Sequence, residues 1–69
     1  MQRWQHVQVV RYRPFDRKDP VIEVGGQRVP EHDSLATVAT RLGGDGWELV
    51  AVTEEPLVSK LWFKRPVDV

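Results

Sequence analysis

The sequence predicts an α+β fold in which one helix lies on one face of an antiparallel sheet, and three observations predict it. Apolar residues recur on a helical period at Leu35, Val38, Ala39 and Leu42. Three longer segments, residues 4–13, 47–53 and 57–65, alternate on the period of a strand. Between the first of them and the helix, Gly25-Gly26 separates two short β-prone runs, which signals a tight hairpin. The expected sheet has three main strands plus a short hairpin, in the order β-ββ-α-β-β, and residues 1–69 form a single domain.

In the first strand, Val7 and Val9 share one parity while Trp4, Val10 and Tyr12 share the other, so both faces carry apolar groups. A solvated outer face has no need of that pattern. Residues 14–20 (Pro-Phe-Asp-Arg-Lys-Asp-Pro) make a charged loop with proline at each end. Val21-Ile22-Glu23-Val24 and Gln27-Arg28-Val29 are the hairpin arms; the two glycines between them suit a turn with positive φ, and Pro30 closes the second arm.

The helix begins after Asp33 or Ser34, either of which caps its first N–H groups, and Glu31 and Asp33 suit the positive end of its dipole. Gly43 stands at the expected left-handed cap, and Gly44-Asp45-Gly46 continues the turn. About nine residues are too few for a helix to stand alone, so this one lies on the sheet. In the next strand Trp47, Leu49 and Ala51 are assigned to one face and Glu48, Val50 and Val52 to the other. Glu54-Glu55-Pro56 turns the chain. The last strand then sets Leu57, Ser59, Leu61 and Phe63 against Val58, Lys60, Trp62 and Lys64, and Pro66 ends it.

At 69 residues, a chain buries only about 60% of the surface its unfolded form exposes. Domains this small commonly add disulfides, a metal or partner subunits to their stability. The chain has no cysteine, which excludes disulfides and thiolate metal sites, and only two histidines, His6 and His32. Self-association is the remaining device. Net charge is zero but unevenly spread: +3 over residues 1–30, −5 over 31–56 and +2 over 57–69. That spread fits plain solubility, and equally a basic sheet surface opposite an acidic helix side. No apolar run is long enough to span a membrane and no secretory leader follows Met1, so the cytoplasm is the expected compartment.

Leu42-Gly43, then Gly46-Trp47-Glu48-Leu49-Val50, then Phe63-Lys64-Arg65, together with the Trp4-led first strand, resemble domain-of-unknown-function family 4177. These are short bacterial proteins with a leucine-rich helix, a glycine turn, a Gly-Trp-Glu-Leu-Val strand and a closing Phe-Lys-Arg. The matches cover about two-thirds of the chain. Residues 14–30 depart from the pattern as a longer, variable loop and hairpin insertion. The resemblance implies the fold and no activity. Gly43, Gly46 and Trp47 also have a structural reading, the glycines freeing the turn and Trp47 closing the helix–sheet core.

Lys60, Trp62 and Lys64 fall on one strand face with Arg65 beside them, and Arg11 and Arg13 join them if the first and last strands are neighbours. Cations around an indole suit a nucleotide or single-stranded nucleic acid. The alternative is that a partner subunit or the 14–20 loop covers Trp62. Zero net charge disfavours non-specific duplex binding.

Glu31-His32-Asp33 is consecutive and reads as a helix start rather than a metal site. The 43–46 glycine turn leaves a helix C-terminus, whose dipole repels phosphate. Ser34 and Ser59 have no histidine in plausible reach. The expected protein is not an enzyme and uses no cofactor or metal. It is a module that self-associates through its sheet, most simply as a homodimer, with a protein partner and no membrane. The alternative is an anionic-ligand binder.

Overall fold

The computed structural model describes residues 3–16, 18–30 and 33–67. Five strands and one helix follow in chain order: β1 (Arg3–Tyr12), β2 (Val21–Val24), β3 (Gln27–Arg28), α1 (Leu35–Gly44), β4 (Glu48–Glu54) and β5 (Val58–Val67). All strands join one antiparallel sheet, ordered β3-β2-β1-β5-β4.

The expectation of three main strands plus a short hairpin is therefore overturned: the sheet has five strands. An isolated two-stranded hairpin is marginal in water. This one gains support by pairing β2 along β1, from Val9 opposite Val24 to Tyr12 opposite Val21. The pairing buries Ile22 and Val21. Gly25 and Gly26 both take positive φ, 57° and 88°, as a primed two-residue turn requires.

Ser34 is the helix N-cap, its Oγ accepting the Thr37 N–H at 3.1 Å. Arg41 pairs with Asp33 at 3.1 Å. At the far end the left-handed residue is Gly46 (φ 89°), not Gly43, which lies within the helix. The Trp47 N–H bonds the Leu42 carbonyl at 3.0 Å and the Gly46 N–H bonds the Gly43 carbonyl at 3.1 Å. This double closure is the Schellman arrangement with Gly46 one residue past the cap. It wins because it satisfies two orphan carbonyls and brings Trp47 back against the core.

Val9, Ile22, Val38, Leu61 and Phe63 form the buried core, with Val7, Val24, Val29, Leu35, Ala39, Leu42 and Trp47 packed around it. The helix stripe thus meets the face of β1 that holds Val7 and Val9. Two details of the alternation differ from expectation. A β-bulge between Leu49 and Ala51 sets Leu49 opposite Phe63, Ala51 opposite Trp62 and Val52 opposite Leu61. Leu49 and Val52 therefore share the helix side while Ala51 faces outward, because one extra residue reverses the parity beyond it. Pro66 does not end the last strand but pairs with Trp4 inside it. β4 pairs with β5 only as far as Glu48 opposite Lys64. Past that point, one side of β5 has no ladder for the missing N–H to break.

Candidate functional site

The strand registers fix what each sheet face presents. On the side away from the helix, β1 places Trp4, His6, Gln8, Val10 and Tyr12 opposite Pro66, Lys64, Trp62, Lys60 and Val58 of β5. β4 extends these rows with Glu48 beside Lys64, Ala51 beside Trp62 and Thr53 beside Lys60. Among the described residues no helix covers this face. Trp4 and Trp62 keep 43% and 40% of their surface exposed, so the described residues of the 14–20 loop leave the Trp62 indole open. Tyr12 is anchored, its hydroxyl donating to Glu23 Oε2 at 2.6 Å.

Lys60, Trp62 and Lys64 do share this face. Lys64, however, lies over the Trp4 ring, 4.2 Å from its centroid, and has Glu48 as its cross-strand neighbour. Its charge is already partly engaged. Arg11 pairs with Ile22 and Ser59, which puts it on the opposite face. Arg13, just past β1, shares with Arg11 a groove of about 340 Å³ at the end of the sheet, which Glu54 and Glu55 also line. That groove is of mixed charge. The six basic and aromatic candidates thus divide among three places.

Arg65 belongs to the helix side. Its guanidinium lies over the Trp47 ring at 4.4 Å, its Nε donates to Gln5 Oε1 at 2.7 Å, and its Nη1 donates to the Asp45 carbonyl at 3.2 Å. One side chain thereby ties β5 to β1, to the residue after the helix and to the ring just before β4. A cation at a helix C-terminus also opposes the negative end of the dipole. Trp47 has a structural setting beneath this clamp, and so does Gly46, which turns the chain toward it. The spacing of Trp47 and Arg65 gave no hint of the stack, since it depends on β4 and β5 being neighbours.

Sequence reasoning also missed β4 as an edge. All seven of its residues are exposed, including Leu49, Val50 and Val52, and it has a neighbour on one side only. Among the described residues no three His, Asp or Glu side chains gather as a metal site, and no helix is long and apolar enough to cross a membrane. In the trio at the helix start, Glu31 and His32 lie outside the described residues.

No family model matches the chain. No curated protein and no solved structure matches it either.

Proposed function

We propose that this domain is a non-catalytic cytoplasmic module that self-associates through its sheet, most simply as a homodimer, and presents the remaining sheet surface to a protein partner. The observation that carries it is apolar sheet surface beyond the helix's reach: Trp4 and Trp62 outside, Leu49, Val50 and Val52 along β4. The areas agree. A compact monomer of 8.0 kDa exposes about 4,450 Å². This chain exposes 5387 Å², roughly 900 Å² more. The resemblance to family 4177 belongs to the same reading and brings no activity with it.

Light scattering coupled to size exclusion, from micromolar to millimolar chain, tests the proposal. The expected result is a mass that rises with concentration to that of a dimer; a constant monomer mass overturns it.

A second reading rests on Lys60 and Lys64 standing two residues either side of the open Trp62 indole on one face. Such a surface takes an anion with a flat base, a nucleotide or single-stranded nucleic acid, by stacking and phosphate attraction. Titrating an oligonucleotide should quench tryptophan emission in a salt-sensitive way. Emission that stays constant removes this reading.

A further inference from the structure

If two copies associate as proposed, the two edges of the sheet decide how they meet. One edge, β3, has two residues, with Pro30 following soon after. It offers almost no ladder. The other, β4, runs seven residues without lysine, arginine or proline, and five consecutive ones, Leu49 to Thr53, are uncharged. Edge strands that stay single usually carry such blocking residues. β4 has its bulge and a glutamate at each end, Glu48 and Glu54, with no charge between them.

We propose, on the basis of that self-association, that a second copy of this chain completes the open edge, β4 pairing antiparallel with β4 about a two-fold axis through the bulge at Val50-Ala51. In a regular strand, facing residues share a side only when a two-fold axis passes through a residue. Here the bulge lets two residues occupy one position. The axis therefore falls between Val50 and Ala51, and Leu49 faces Val52 of the second copy, Glu48 faces Thr53, and Trp47 faces Glu54. Leu49 and Val52 are both on the helix side, and Glu48 and Thr53 are both outward. A register centred on Ala51 instead sets Glu48 against Glu54 and mixes the two sides. Like charges directly opposite are destabilising.

The rows this register creates are complementary. On the helix side, buried Phe63, half-open Leu49, half-open Val52 of the second copy and its buried Leu61 make one continuous apolar row. On the outer side, Glu48 stands between its own Lys64 and, beyond Thr53, Lys60 of the second copy. Glu54 of the second copy comes to Trp47, over which Arg65 is stacked, so opposite charges approach at each end of the ladder. Both apolar extension and charge placement select a second copy as the occupant.

The test uses the full chain, whose lack of cysteine makes introduced thiols unambiguous. Leu49→Cys and Val52→Cys chains, mixed and oxidised, should cross-link to each other at least about tenfold faster than either does alone. Mixed and single samples that cross-link at the same rate overturn the register. Val52→Lys should weaken dimerisation by about tenfold or more, equivalent to ~1.4 kcal/mol, with the far-UV spectrum of the dilute chain unchanged. Glu54→Lys, at an exposed site, should weaken it in the same sense and guards against misfolding of the first variant. If the wild-type chain is monomeric throughout, the self-association reading fails and takes this one with it. If it dimerises and both lysine variants dimerise equally well, edge pairing alone is overturned.

Discussion

Phe63 and Leu49 face each other across β5 and β4, both on the helix side, yet 3% of one and 47% of the other is exposed. The same holds one step along, where Leu61 is buried and Val52 is 52% exposed. Residue type does not separate the two pairs, and neither does strand pairing. Position under the helix does. Val38 of the helix clusters with Val9, Ile22, Leu61 and Phe63 of the inner strands, and neither Leu49 nor Val52 of the edge strand β4 joins that cluster. One helix stripe therefore seals the middle of the sheet and leaves an edge strand open. Burial in this domain is set by reach, and the residues left beyond it are the ones available for contact.

Phe63→Ala puts this contrast under the severest strain. Removing a buried ring costs about 3–5 kcal/mol, enough to unfold most molecules of a small domain; urea titration followed by circular dichroism should show little or no native baseline. A loss below ~1 kcal/mol would mean that the sealed centre is not the source of stability. Next is Gly46→Ala. No atom obstructs a Cβ there, so the cost is backbone strain alone at φ 89°, about 1–3 kcal/mol. The same titration measures it, and Trp47 emission should shift as the ring loosens. Smallest is Val52→Ala, which should cost at most about 1 kcal/mol in dilute, monomeric protein because half of the side chain is already in water. At high concentration the same substitution should cost more, since dissociation then adds to unfolding. Equal losses at both concentrations would place β4 outside any interface.

Much of this arrangement could be read from local pattern. The Leu35–Val38–Ala39–Leu42 stripe, the Gly25-Gly26 turn and the apolar outer parity of Trp4, Val10 and Tyr12 each depend on spacings of a few residues, which sequence displays directly. Three features could not be read that way. The bulge at Val50 has no composition of its own; it is defined by what β5 places opposite. Pro66 reads as a stop until β4 is known to have ended at Glu48. The candidate cations looked like one cluster because parity alone cannot say that Arg11 and Arg65 turn toward the helix while Lys60 and Lys64 turn away. In each case the missing information was which strand lies beside which, and that is decided by contacts distant in sequence.

The longest such contact joins β1 to β5, the first and last strands, over ten facing pairs from Arg3 opposite Val67 to Tyr12 opposite Val58. This puts the first strand at the centre of the sheet and the last between it and the edge strand β4. During synthesis, β1, the hairpin and α1 leave the ribosome with no way to enclose Val9 until β5 emerges. Closing the core therefore waits on contacts distant in sequence, the feature that slows folding in topologies dominated by non-local pairing. Until β5 pairs with it, the Leu49–Val52 segment is an apolar strand open on both sides, the kind of transiently exposed surface through which folding chains aggregate.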